Sequence, residues 1–388
     1  MKIGKSGIHN VPGFLSLGKN IGIKKVQKDF GIIFSECVCS AAGVFTTNTV
    51  KGAPLFITQD HLKDGRAQAI VVNSGNANVG TGEKGKEDAK KIVTLVAQEL
   101  EINEKNVLVA STGIIGKMLP MEKFEKGILG IKRELSTSDN FAEAILTTDK
   151  IKKEMTVHGK NFTISGVAKG SGMIHPNMAT MLAFLVTDAR VSSTELKKML
   201  KKSVDQSFNM VSVDMDTSTS DMVLILANGS AGKVDNAEFQ DALTIVCIEL
   251  AKLIAQDGEG ATKLIVVETI AAKSEEDAKK ISKNIICSPL VKCALFGSDP
   301  NWGRILCAIG NSGAFFVENK LKISINGNPI VEHGVEVRNF NSYTTSKSIE
   351  KKTITTILID LGLGKAHATA YGCDMSYDYI KINAQYST

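Results

Sequence analysis

Phe162-Thr-Ile-Ser-Gly-Val167, then Lys169-Gly-Ser-Gly-Met-Ile-His-Pro-Asn-Met-Ala-Thr180, then Met181-Leu-Ala-Phe-Leu-Val186 is the stretch that decides how this chain is read. Its outer pieces are short apolar runs of strand length. Between them glycines and a proline interrupt any regular element. The pattern predicts strand, loop, strand, with the switch from polar to apolar falling at Ala179-Thr180. A threonine opening a buried strand has an ordinary explanation, since β-branched residues favour strands. It also has a chemical one. A threonine hydroxyl can attack the carbonyl before it, and hydrolysis of the resulting ester leaves a new N-terminal threonine. Its α-amine then lies beside its own hydroxyl and can serve as base. Ala179 is small enough to leave room for that attack, and Gly170 and Gly172 permit a tight backbone.

Outward from this stretch, strand-like runs alternate with amphipathic helices, an α/β pattern. Ala69-Ile-Val-Val72 ends at the turn-like cluster Asn73-Ser-Gly-Asn76, and Val107-Leu-Val-Ala110 stops at Ser111-Thr112-Gly113. Ala89, Ile92, Val93, Val96 and Leu100 recur at helical spacing. Ser192 with Glu195 forms a capping box, and Ser274 with Asp277 opens another helix. Met222–Ala227 and Leu264–Ile270 read as strands, and Ala242–Ala255 as a helix. Beyond a soft boundary near residue 270, Leu321–Ile325 before Asn326-Gly327 signals a hairpin, and Thr353–Ile359 alternates as a strand. That last third looks richer in antiparallel strand.

A length of 388 residues points to two or three domains. A net charge of +5 without a basic stripe of interleaved aromatics argues against a nucleic-acid surface. No run reaches the ~18 apolar residues of a membrane span, and Met1–Val11 lacks the apolar core of a secretory signal. Seven irregularly spaced cysteines read as buried thiols of a reducing compartment, so the chain is expected to be cytoplasmic, and no metal is inferred. Ser111-Thr112-Gly113 offers a hydroxyl and an N–H to a developing oxyanion. The block Asp214–Asp221 reads as structural, since it lacks the glycine and final glutamate of a calcium loop. Gly297–Arg304 reads as structural too, because its Asp-Pro-Asn-Trp core does not fit a phosphate loop.

The segment from Lys169 to Leu182 resembles the self-cleavage motif of the ornithine acetyltransferase family, also called glutamate N-acetyltransferase. The likeness runs in order through Ala41–Asn48, Asn73–Asn78 with Thr81-Gly82, Ser111–Gly116, Thr147–Asp149, Asp257–Lys263, Gly297–Arg304 and Asp378–Thr388, essentially the whole chain. The chain departs from the family pattern at Val79-Gly80, Ser220 and Tyr371, and in a shorter stretch between Thr148 and Lys169. The resemblance implies an α/β (α+β) layered α/β/β/α sandwich of the DmpA and ArgJ-like kind with a smaller C-terminal α+β domain. It implies an alpha chain of residues 1–179 and a beta chain of 180–388, of which about 270–388 forms the subdomain. Thr180 is then the nucleophile, freed by cleavage between Ala179 and Thr180. Thr112 and Gly113 hold the oxyanion. Thr147 (or its neighbour Thr148), Lys169, Thr180, Glu259, Asn383 and Thr388 contact substrate. The implied reaction moves acetyl from N2-acetylornithine to glutamate without a cofactor. Some family members also take acetyl-CoA as co-substrate, and no residue of this chain decides between the two kinds. The implied assembly is a heterotetramer of two alpha and two beta chains. An N-terminal-threonine aminopeptidase or amidase on a related scaffold is the alternative.

Overall fold

The computed structural model describes residues 1–137, 140–175 and 181–385. Among these, sixteen strands form two sheets. In chain order the first eight are β1 (Lys2–Gly4), β2 (Phe14–Lys19), β3 (Phe30–Phe45), β4 (Arg66–Asn76), β5 (Val107–Ile114), β6 (Lys153–His158), β7 (Thr163–Lys169) and β8 (Leu182–Arg190). Next come β9 (Val211–Ser212), β10 (Met222–Lys233), β11 (Leu264–Ala272) and β12 (Lys322–Ile325). The last are β13 (Asn328–Glu332), β14 (Val335–Glu336), β15 (Ile354–Asp360) and β16 (Ala366–Cys373).

The nine-stranded sheet runs β1-β6-β7-β8-β10-β3-β4-β5, with β2 also on β3. Its long strand β3 pairs with β4 through Phe30–Phe34 and with β10 through Ser40–Phe45, with an irregularity between Phe34 and Cys39. There the sheet folds over on itself. Ile33 and Ala41 face one shared core, which also holds Ile70, Leu108, Phe184, Val186 and Leu224. The opposite residues of β3 point outward, Phe30 and Ile32 to one side and Ala42 and Val44 to the other. Helices Gly82–Leu100 and Met121–Ile128 cover the first outer face through Ile92, Val96 and Phe124. Helices Ser193–Asp205 and Asn236–Gln256 cover the second through Leu200, Phe239, Val246 and Leu250. The result is the four-layer α/β/β/α arrangement. Burial drives it, since each such apolar side chain removed from water contributes ~1.5–3 kcal/mol.

The seven-stranded sheet runs β14-β13-β12-β15-β11-β16-β9. Ile265, Val267, Ile357 and Ile359 face a core shared with helix Glu275–Cys287. Leu264, Tyr371 and Cys373 face the other way, into the core built around Asn236–Gln256. Both predicted capping boxes form: Ser192 accepts from the Glu195 N–H and Ser274 from that of Asp277. The Asn326-Gly327 turn joins β12 to β13, both residues with positive φ.

Two readings change. Asn73–Asn76 is not a turn but the end of β4, and β5 does not stop before Ser111. The two strands pair in parallel there, Asn73 opposite Ser111 and Ser74 opposite Thr112. Side-chain bonds support this polar extension: Ser111 donates to Asn73 Oδ1 at 2.6 Å, and Asn73 Nδ2 to the Asn76 carbonyl at 2.8 Å. The last third is mostly antiparallel, as read, with β15 parallel to β11 as an exception. Finally, Cys39, Cys247, Cys287 and Cys373 are buried, but Cys37, Cys293 and Cys307 are exposed. An apolar neighbour such as Leu306 does not decide which side of a helix a thiol occupies.

Candidate active site

The ends of β4, β5 and β7 and the starts of β8 and β10 meet at one edge of the folded sheet. A cavity of about 150 Å³ opens there. Thr112 and Gly113 form one wall from the end of β5. Gly113 has φ +128° and any Cβ would lie 2.4 Å from the Gly75 carbonyl carbon, so only glycine fits. Lys169, the last residue of β7, reaches Thr112 Oγ1 at 3.4 Å. It is buried, contrary to what a lone lysine beside glycines suggests, and burial pulls its pKa down against the nearby Asp149 carboxylate.

A buried charge cluster lies beneath. The Lys153 ammonium, fully enclosed, is 2.7 Å from Asp149 and 2.5 Å from Asp257. Asp149 also accepts from the N–H groups of Thr147 (3.0 Å) and Gly170 (2.6 Å). Burial alone raises the pKa of Asp149, but Lys169, Lys153 and these hydrogen bonds outweigh it and hold the carboxyl below its usual range. Asp257 anchors the Lys150 and Ile151 N–H groups, and its carbonyl accepts from Ser171 Oγ at 2.6 Å. The cluster therefore fixes the Thr147-Thr148 loop and the glycine-rich loop after β7 together. Both threonines line the cavity.

The outer wall comes from the C-terminal part of the chain. Glu259 is buried, and Gly172 lies so close that a Cβ there would be 2.5 Å from its carboxylate. Asn383, on helix Tyr377–Gln385, donates to Glu259 Oε2 at 2.9 Å. Ser376 ties this helix to the Gly260 carbonyl at 2.5 Å. The cavity thus carries both a buried lysine and a buried glutamate, side chains that can pair with the carboxyl and amino groups of an amino acid.

Of the residues singled out in the sequence, Thr112, Gly113, Thr147, Thr148, Lys169, Glu259 and Asn383 come together around this one cavity. Ala179, Thr180 and Thr388 lie outside the described residues. Met181, bonded to Thr180, lines a second, smaller cavity that shares Thr112, Lys169, Gly172 and Ser220 with the first. Sequence reasoning missed one wall. Asp214, Asp216 and Ser218–Ser220, from the block read as structural, line the cavity. Asp214 does brace the loop, accepting from Met173 N–H at 2.6 Å and Ile174 N–H at 2.8 Å. The block is itself held by the N-terminal part, since Thr46 Oγ1 donates to the Ser218 carbonyl and Asn48 Nδ2 to that of Thr217. A signal was available: Ser220-Asp221-Met222 makes the same polar-to-apolar switch as Ala179-Thr180-Met181.

The profile of the ArgJ family matches residues 16–388. The chain belongs to the ArgJ family. It is accordingly an enzyme, an acyltransferase of arginine biosynthesis. The arginine biosynthesis bifunctional protein ArgJ of Listeria monocytogenes is 47% identical over 400 residues, covering 100% of both chains. That of Staphylococcus aureus strain COL is 50% identical, covering 97% of this chain and 94% of its own. A crystal structure of arginine biosynthesis bifunctional protein ArgJ from Bacillus halodurans superposes with a TM-score of 0.50 at 38% identity. That match covers 51% of this chain and 96% of the solved one.

Proposed function

We propose that this ArgJ-family chain cuts itself between Ala179 and Thr180 and then moves an acetyl group from N2-acetylornithine to glutamate through an ester on Thr180. The observation that carries the reading is the gathering of Thr112, Gly113, Lys169, Glu259 and Asn383 around one cavity, with Met181 on a smaller cavity that shares Thr112 and Lys169. The solved Bacillus halodurans chain matches over 96% of its length yet spans about half of this one, which supports a two-chain product.

In the first step the Thr180 hydroxyl adds to the Ala179 carbonyl, the peptide nitrogen leaves with a proton, and water hydrolyses the ester. The freed α-amine then takes the hydroxyl proton as Thr180 attacks the acetyl carbonyl. Thr112 Oγ1 and the Gly113 N–H donate to the oxyanion, a contribution of ~10²–10³ in rate per donor. Lys169 pairs with the substrate carboxylate and Glu259 attracts its amine. Thr147 or Thr148, Asn383 and Thr388 complete the contacts. Ornithine leaves, and the glutamate amine attacks the acetyl ester. The relatives' name, bifunctional, supports a second donor, acetyl-CoA, for making N-acetylglutamate directly. The working assembly is two alpha and two beta chains, and its mass in native mass spectrometry checks it.

Thr180→Ala is the deciding variant. Intact mass spectrometry should find one uncut chain, and ornithine release from N2-acetylornithine should vanish. Two fragments from that variant would overturn the reading. Wild-type rates with N2-acetylornithine and with acetyl-CoA, measured side by side, test the second donor.

A further inference from the structure

Two side-chain oxygens of the smaller cavity's lining residues lack a hydrogen-bond partner among the described residues, Asp221 Oδ2 and Ser220 Oγ. Asp221 is 3% exposed and lines the smaller cavity with Thr112, Lys169 and Met181. Its hydrogen bond from Ser218 leaves Oδ2 free. The neighbouring acids are engaged. Asp214 is taken by two backbone N–H groups, and Asp149 and Asp257 hold Lys153. Native structures seldom leave a buried carboxyl oxygen unanswered, so this one calls for a reason.

Strand register supplies it. β8 and β10 run in parallel with Leu182 opposite Met222, and the Met222 N–H donates to the Met181 carbonyl at 3.1 Å. Asp221 therefore enters its strand beside Met181. Thr180 is the residue bonded to Met181. In the uncut chain the Thr180 nitrogen is an amide with one hydrogen. Cleavage would turn it into an amine, so a new donor would arise one residue from an acceptor that lacks one.

We propose that Asp221 is the docking group for the α-amine of Thr180, its free oxygen accepting from that nitrogen and holding it beside the Thr180 hydroxyl. This rests on the self-cleavage reading above. Burial pushes the Asp221 carboxyl well above the usual carboxylate range, with Ser218 and Lys169 opposing, which favours its protonated form. When the amine is released the carboxyl proton passes to it: one O–H bond breaks, one N–H bond forms, and no other reactant is needed. Return of that proton restores the neutral amine, the form that accepts the hydroxyl proton. Lys169 is the other titratable group lining the smaller cavity, itself neighboured by Asp149, Lys153 and Glu259. Asp221 acts through the amine and is a positioning residue.

Two measurements test this. A crystal structure of the cut wild-type protein should place the Thr180 nitrogen within about 3.2 Å of Asp221 Oδ2. A separation beyond hydrogen-bonding reach would overturn the proposal without needing any variant. Asp221→Asn should still give two fragments by intact mass, because cleavage precedes the amine. Its acetyl transfer should fall about tenfold or more at neutral pH, and the acidic limb of kcat against pH should move about one unit lower. The direction follows from charge: a carboxylate stabilises the ammonium, and an amide does not. A wild-type kcat and an unmoved limb would sink the proposal while leaving self-cleavage intact. An uncut Asp221→Asn chain would also sink it, by moving Asp221 to the cleavage step. A wild-type protein that stays whole would sink the self-cleavage reading itself.

Discussion

The two sheets are made from similar apolar strands, yet they bury different things. Strands of the seven-stranded sheet enclose hydroxyls such as Thr269, which accepts from Ser282, and their charged residues stay at least partly exposed among the described residues. Strands of the folded sheet enclose Asn73, Asn76, Thr112, Lys153 and Lys169. Buried charge is costly to desolvate, and a packed apolar pair is often as stable. The contrast teaches that the folded sheet carries polarity for use, whereas the other sheet can be judged on packing alone.

The strongest way to break that comparison is Lys153→Met. It leaves Asp149 and Asp257 facing each other without their cation, and loss of one partner from a buried ion group costs ~3–5 kcal/mol. Urea denaturation should show this, and loosening of the Thr147 and Gly170 loops should lower acetyl transfer as well. Next, Thr112→Ala should leave the denaturation midpoint nearly unchanged and cut kcat by ~10²–10³, the usual cost of one oxyanion donor. An unaltered kcat would remove Thr112 from the reaction. In the other sheet, Ile357→Val should cost ~0.5–1.5 kcal/mol of stability and nothing in kcat. A loss of activity there would show that the sheets are coupled.

The gentlest effect concerns the junction between them. His175 contacts Ser212 of β9 and Cys287, and burial, helped by Lys283, lowers its pKa to about 4. An unfolded His175 takes its proton near 6.5 and the folded one only near 4. The unfolded chain therefore binds more protons in that window, and stability should fall as pH drops through it. His175→Gln should flatten that slope in thermal melts taken across the window.

Much of the fold was legible because apolar spacing is local. The helix at Gly82–Leu100 and strands β7, β8, β10 and β11 follow from it. The polar strand ends were not. Asn, Ser and Gly favour turns in isolation, and only pairing between β4 and β5 turns Asn73–Asn76 into strand. The site was legible through family resemblance more than through physics, since Lys169 and Glu259 look like surface residues until the fold buries them. The Asp214–Asp221 wall was missed because its role depends on β10 lying beside β8, a contact across some forty residues that no local pattern encodes.

The strand order carries a last consequence for the proposed cut. Strands β8 and β10, which follow residue 180, sit between β7 on one side and β3 on the other, both of which precede it. One scissile bond would divide the chain, but the halves would remain threaded through each other by two complete ladders. Separation would require unzipping the middle of the sheet, which is global unfolding. The cut would therefore act as a one-way gate: differently tagged cut proteins, mixed under native conditions, should not exchange halves, and a denatured pair should reassemble far less readily than the uncut chain first folded.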